Sequence, residues 1–371
     1  MSRILVVGGG IIGTMHAFWG IQQGHEVIQI ERDCIAQSAS VRNFGLIWVS
    51  GRASGEELSL ALRSRSLWEE IGTTTDIGFR ANGSITIAQD DAQMSLVHRA
   101  AELPDADFRG FKVLSRSDIK NLEPLIKGKL EGGLLCEQDA VVEPALLLPG
   151  LRKYLTRTER YSYHVGEEIN DFRESDGSVY LRSSSGTEFA GDYAVICPGS
   201  YKSNFIDSLT DQAPLRQVRI QMASTQSLPI KLHHSLADID SFRYYPAFKG
   251  LDFSFLTEQN LIAKRFKMQL LVAPRLDGTL TIGDTHEYEE PFTFYVEESP
   301  YRYLHSLAEE IFGLSLHLER RWAGIYSQTT SEDIYYRKNI SSNLFVVTGG
   351  GGRGNTLAPA IAEETFKLWG L

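Results

Sequence analysis

The sequence predicts an α/β chain in which a βαβ domain is interrupted by a sheet-rich α+β region. Three observations predict it: a strand, glycine turn, helix and strand at residues 3–32; short strand-like segments from residue 78 to 144 and again from 216 to 318; and a second strand, glycine turn and helix at the C-terminus. The 371 residues, 42% hydrophobic and 23% charged, fit one or two globular domains and exclude disorder. With 37 Lys+Arg against 47 Asp+Glu the net charge is −10, which repels phosphate backbones, so no nucleic-acid partner is expected.

Residues 3–32, "RILVVGGGIIGTMHAFWGIQQGHEVIQIER", read as a buried strand over Ile4 to Val7, a turn, an amphipathic helix, and a second strand over Val27 to Ile30 that ends on Glu31. Gly8, Gly10 and Gly13 give G-x-G-x-x-G. The first permits the tight turn, the second lets the backbone approach a pyrophosphate, and the third lets helix and strand pack closely. Ile11 and Ile12 open the helix, whose amides face the anion. Glu31, followed by Arg32, stands where a carboxylate accepts hydrogen bonds from ribose hydroxyls. A chance glycine cluster is the bland alternative, and the register of strand, helix and acid argues against it.

Leu58, Leu62, Leu67 and Ile71 in "EELSLALRSRSLWEEIG" recur at helical spacing, with Gly72 as the expected stop. "LLLPGLRKYL" reads as a helix, the segment from "YSYHV" to "FAGDY" as a β-meander with turns at "SDG" and "SSG", and "YAVICPGS" as a buried strand entering a Pro-Gly turn. This order assigns 1–80, 145–215 and 319–371 to a discontinuous dinucleotide domain, and 81–144 and 216–318 to a substrate-binding domain. Cys34, Cys136 and Cys197 match no disulfide or zinc spacing and read as free thiols in a reducing cytoplasm, with no metal site. "ILVVGGGIIG" is too short and glycine-rich to cross a membrane, so no membrane partner is expected.

The first fingerprint recognises adenosine and diphosphate, which NAD and FAD share. "VVTGGGGRGNTLAPAIAEE" adds a second glycine turn, Gly349 to Gly352 and Gly354, before a helix. A helix N-terminus there can stabilise negative charge on the pyrimidine edge of a reduced flavin; a linker of glycines is the alternative.

On "VVGGGIIG" with Glu31, "SAS" at Ser38 to Ser40, "YAVICPGSY", "DGTLTIGDTHEY", "RRWAGIY" and "GGGGRGNTLAPAIAEE", the sequence resembles the D-amino acid oxidase, glycine oxidase and sarcosine oxidase family of FAD-dependent oxidoreductases over nearly its whole length. The resemblance implies a Rossmann-like, glutathione-reductase-like FAD-binding fold. It implies that Ser38, Ala39, Ser40, Asn43, Phe44 and Gly45 border the FAD, that Ile169 lies near the adenine and that Pro198, Gly199 and Ser200 lie near the diphosphate. Gly350, Gly351, Gly352, Gly354, Asn355 and Thr356 fall at the ring by the same implication. Some relatives attach FAD through a cysteine near "RWAGIY"; none stands here, so the resemblance implies non-covalent FAD. Thr281 stands where some relatives place a lysine, which leaves oxygen and other electron acceptors both open.

The implied activity is hydride transfer from an amine C–H to the flavin, giving an imine that hydrolyses. An acidic substrate needs its anion clamped by a guanidinium fork. Arg42, just before Phe44, is the first candidate, against a solvated loop arginine. Arg353, inside the C-terminal glycine turn, is the second, against a salt bridge to Glu363 or Glu364. The resemblance adds His286, as a polar substrate contact or a tuner of amine protonation against a structural histidine, and Arg321 beside the flavin; Tyr244 and Tyr245 form an aromatic wall or anion contact, or belong to an ordinary strand. "ASVRNFG", "IGDTHEY" and "GGRGNTL" are similar to a branch associated with organophosphonate breakdown, which implies an aminoalkylphosphonate substrate. "SQTTSED" departs from the "TPDG" usual after "RWAG". A glycine, sarcosine or D-amino acid oxidase or dehydrogenase, and a non-catalytic flavin-binding regulator, are the alternatives.

Overall fold

In the computed structural model, which describes residues 1–371, the chain builds two large sheets. The first runs, edge to edge, Tyr336–Asn339, Leu344–Thr348, Tyr193–Ile196, Arg3–Val7, Glu26–Glu31 and Tyr161–Val165. All its pairs are parallel except the antiparallel edge strand Tyr336–Asn339. A parallel sheet is buried on both faces, which is why Ile4, Leu5 and Val6 are all apolar. Ile4 and Val6 face the helices Ile11–Gln22 and Gly354–Trp369; Leu5 faces the meander of Ile169–Ser175, Ser178–Ser183 and Glu188–Gly191.

The turn after Arg3–Val7 leaves no room for side chains. Gly8 has φ +112°, and a Cβ there would lie 2.4 Å from the Cys197 carbonyl oxygen; one on Gly13 would lie 2.1 Å from the Gly8 oxygen. Strand, turn and helix therefore press together as the fingerprint requires.

The second sheet runs Leu318–Thr329, Leu215–Thr225, Leu280–Gly283, Leu271–Pro274, Ser235–Asp238, Ser84–Ala88, Gly132–Cys136 and Phe111–Ser115. One side carries a core of 20 buried residues shared with helix Glu298–Phe312. On the other, Val218, Ile220 and Met222 pack against Phe44, Leu46 and Trp48, which brings residues 44–48 against this sheet.

Three expectations shift. Helix Glu56–Thr74 runs through Gly72, where a Cβ would lie 2.9 Å from the Phe79 Cβ. Tyr161–Val165 joins the parallel sheet beside Glu26–Glu31 and leaves the meander to the next three strands. The domain boundary expected at 319 falls inside Leu318–Thr329, which pairs with Leu215–Thr225 from Leu215 opposite Thr329 to Thr225 opposite Leu318. A ladder of that length stays with one sheet, so the chain re-enters the first sheet only at Tyr336. No helix is long and apolar enough to cross a membrane.

Candidate active site

Both glycine turns border one cavity of about 510 Å³, walled by residues of both sheets. Lining it are Gly8, Gly10, Ile11, Ile12, Gly13, Glu31, Arg32, Ser38, Ala39, Ser40, Asn43, Phe44, Ile169, Pro198 and Gly199. Helix Ile11–Gln22 has no side-chain cap, so its first-turn amides are left for a ligand, apart from the Ile11 N–H, which donates to Ser40 Oγ at 2.9 Å. The Glu31 carboxylate accepts the N–H groups of Gly9 and, at 2.9 Å, Asp33. Arg32 pairs with Asp33 at 3.0 Å and stacks 3.6 Å over the Tyr201 ring. Gly350, Gly351, Gly352, Gly354 and Asn355 line the cavity at the second turn, where helix Gly354–Trp369 is likewise without a side-chain cap. Two uncapped helix ends on one cavity fit FAD, which carries a diphosphate and, when reduced, a ring anion.

Four expected site residues lie elsewhere. Gly45 (φ +67°) packs behind the wall, where a Cβ would lie 2.1 Å from the Val142 oxygen. Thr356 is buried, its hydroxyl accepting the Trp48 N–H at 2.9 Å. Arg42 is exposed and is not part of the cavity lining; its backbone lies against Gly324 and its Nη1 donates to the Ala323 carbonyl at 3.1 Å. On that strand Gly324, Tyr326 and Gln328 face the cavity, so Arg321 falls on the opposite face and pairs with Glu298 at 2.9 Å. Thr281 is also away from the cavity, accepting Arg275 Nε at 2.8 Å.

The remaining candidates converge. Arg353 lines the cavity with Glu57 Oε1 at 3.7 Å, beyond hydrogen-bond length, and burial lowers its pKa. The alternative partners are engaged otherwise: Glu363 with Arg63 at 2.8 Å, Glu364 with Arg337 at 3.1 Å. Tyr244 sits on helix Asp240–Tyr244, not on a strand, and stacks on His286 with 4.2 Å between centroids. His286 Nδ1 donates to the Lys267 carbonyl at 3.0 Å, which leaves Nε2 as the acceptor; burial lowers the pKa to about 4, so the ring is neutral.

Arg52, Glu57, Asp284, Trp48 and Tyr326 also line the cavity and were not singled out by sequence. Arg52 is buried, donates from Nε to the Trp48 oxygen at 2.7 Å and faces Glu57 at 3.4 Å. Its loop is held by two buried side chains of the other sheet region. Arg109 donates to the carbonyls of Val49 (3.1 Å), Ser50 (2.9 Å) and Arg52 (2.8 Å), while Asp139 Oδ1 accepts the amides of Val49 (2.5 Å) and Ser50 (2.9 Å). Trp48 Nε1 and Tyr326 Oη are buried without a hydrogen-bond partner. The available signal was "WVSGR", an apolar run ending in arginine with Glu57 five residues on.

Residues 3–368 match the family model described as DAO, FAD dependent oxidoreductase. An opine oxidase chain of Rhizobium meliloti is 27% identical over 149 residues, 36% of this chain and 39% of that protein, so the chain spans well under half of this curated relative. Glycine oxidase from Geobacillus kaustophilus has TM-score 0.77 at 20% identity, covering 100% of this chain and 95% of that one. L-proline dehydrogenase from P. horikoshii has TM-score 0.78 at 18% identity, covering 99% and 92%. These two likenesses are of fold. The family match spans both sheets and both glycine turns, and the chain belongs to the DAO family of FAD-dependent oxidoreductases.

Proposed function

We propose that the protein oxidises a small amine carrying an anionic head group, an aminoalkylphosphonate such as 2-aminoethylphosphonate or its hydroxy or N-methyl derivative. The observation that carries the anionic half is Arg353, a guanidinium on the cavity wall with no carboxylate within hydrogen-bond length. FAD, held non-covalently, supplies a two-electron acceptor for the hydride that leaves the amine carbon. The chain's own part is orientation. Arg353 and Arg52 receive the anion, the unpartnered Trp48 Nε1 and Tyr326 Oη offer two further donors, and Tyr244 with Tyr245 walls the cavity. The Arg353 fork, the N–H groups of Arg52 not taken by Trp48 and Glu57, and two free donors exceed what one carboxylate uses and suit the three oxygens of a phosphonate. The sequence likeness to the phosphonate-associated branch supports the same choice.

An amino carboxylate is the second reading. Glu57 lies beside both arginines and leaves them a net single positive charge, which matches a monoanion. The relatives named for glycine and L-proline point the same way. Oxygen or another oxidant then reoxidises the flavin. The exposed, unpaired Cys34 suits a reducing cytoplasm.

The test is anaerobic mixing of the yellow protein with 2-aminoethylphosphonate, its N-methyl and hydroxy derivatives, glycine, sarcosine, D-alanine and uncharged ethylamine. Phosphonates are expected to bleach the flavin and ethylamine is not. Bleaching by carboxylates alone moves the substrate to the second reading. Bleaching by none leaves a flavin-binding protein without amine oxidase activity.

A further inference from the structure

We propose that Asp284 recognises the substrate's ammonium group and accepts its proton before the hydride leaves. The inference rests on the amine-oxidation reading above. An ammonium nitrogen has no lone pair to drive C–H cleavage, so a proton must first pass from R–NH3⁺ to a base. Here it passes to the carboxylate: R–NH3⁺ and Asp284–COO⁻ become R–NH2 and Asp284–COOH. The nitrogen lone pair so released becomes the C=N bond as the hydride departs.

Asp284 follows strand Leu280–Gly283, lines the cavity, and is only 6% exposed. No lysine or arginine pairs with it. Its polar neighbours are Gln269 Nε2 at 3.3 Å and His286 Nε2 at 3.8 Å, and the hydroxyl-bearing Tyr244, Tyr245, Tyr288 and Tyr326 line the same cavity. The two cations beyond them, Arg216 and Lys267, stack on the Tyr288 ring at 4.0 and 4.3 Å. A carboxylate buried without a cation is costly. The cation it lacks is the one an amine brings. Burial holds the carboxyl up to about 8, and an arriving ammonium reverses that shift by supplying the missing charge.

His286 is the competing base, but its Nε2 lies at 3.8 Å from Asp284 and its ring stacks flat on Tyr244, which positions it as a neighbour of the carboxyl. Tyr245 lies in the field of both Asp284 and Arg52, so the aromatic wall spans the two charged ends. The cavity thus reads a zwitterion at both poles: anion at Arg353 and Arg52, ammonium at Asp284. Anions that lack an amine satisfy only one.

The experiment compares wild-type holoenzyme with Asp284→Asn and Asp284→Ser, using flavin content and thermal midpoint to establish folding. Limiting rates of anaerobic flavin reduction by 2-aminoethylphosphonate and sarcosine are measured from pH 6 to 10. The expected result is about a hundredfold loss at pH 7 in both variants, with the variant rate regaining about tenfold per pH unit as free amine accumulates in solution. A parallel flavin difference-spectrum titration compares 2-aminoethylphosphonate with ethylphosphonate, and glycine with acetate. Wild type should bind the amine-bearing member of each pair at least tenfold more tightly; the variants should bind the members alike. Reduction rates within threefold of wild type with an unchanged pH profile overturn the proposal. If no amine reduces the wild-type flavin, the functional reading fails, and the titration still decides whether Asp284 recognises ammonium. Equal binding of both members by wild type overturns that as well.

Discussion

Arg42 and Arg52 stand on one stretch of chain and meet opposite fates. Arg42 is exposed and donates from its guanidinium to a single carbonyl of a neighbouring strand. Arg52 closes a loop whose carbonyls are taken by Arg109 and whose amides are taken by Asp139, both fully buried. The difference teaches that a cation reaches a cavity because distant residues satisfy its backbone, not because its neighbour in sequence touches the ligand. Residues 109 and 139 come from the inserted, sheet-rich region, so the second sheet builds part of the first sheet's ligand wall.

The comparison breaks most sharply at Arg109. Arg109→Leu leaves three buried carbonyls and Asp105 without their partner and should cost about 3–5 kcal/mol, read as a fall in the denaturant midpoint. Because three of the lost bonds serve residues 49–52, flavin reduction by the preferred amine should fall together with stability. A midpoint unchanged from wild type would sever the loop from its clamp. Next comes Arg353→Ala, for which kcat/KM with an anionic amine should drop by about 2–4 kcal/mol equivalent as a desolvated ion pair is lost.

A smaller effect concerns pH. In the folded state Asp284 is raised to about 8 from 3.8, so it holds a proton the unfolded chain has released, and its contribution to stability falls as pH rises through that window. His286, lowered from 6.5 to about 4, does the reverse: its contribution is lost as pH falls from 6.5 toward 4. The two oppose each other below pH 6.5, and only the Asp284 decline remains from 6.5 to 8. The thermal midpoint of substrate-free enzyme should therefore decrease across that upper range, and Asp284→Asn should flatten it. Smallest of all, Arg42→Ala should shift stability by less than about 0.5 kcal/mol and leave kcat/KM unchanged, as for an exposed side chain away from the site. A large loss of kcat/KM would return Arg42 to the substrate and erase the contrast with Arg52.

What sequence made legible was local. Gly8 and Gly13 declare their turn because no Cβ fits, and Arg3–Val7, Tyr193–Ile196 and Leu344–Thr348 declare themselves by apolar runs. What it hid was decided by pairing over long separations. Arg321 faces away from the cavity because Leu318–Thr329 is registered against Leu215–Thr225, and a shift of one residue would have reversed it. Gly45 and Thr356 belong to the right segments but to the far side of the wall. "IGDTHEY" drew attention to its histidine, whereas the carboxyl two residues earlier is the group with no counter-charge, a property visible only once the surrounding tyrosines are in place.

The C-terminal glycine turn is tied to the second sheet by the bridge between Gln328 and Gly350, and the cavity beside it draws its wall from both sheets. A ligand filling that space binds only when both have folded. FAD then acts as a thermodynamic rivet: at a thousandfold excess over its Kd it adds about 4 kcal/mol to both regions at once. Losing it should let the sheets unfold in separate steps where the loaded protein melts in one.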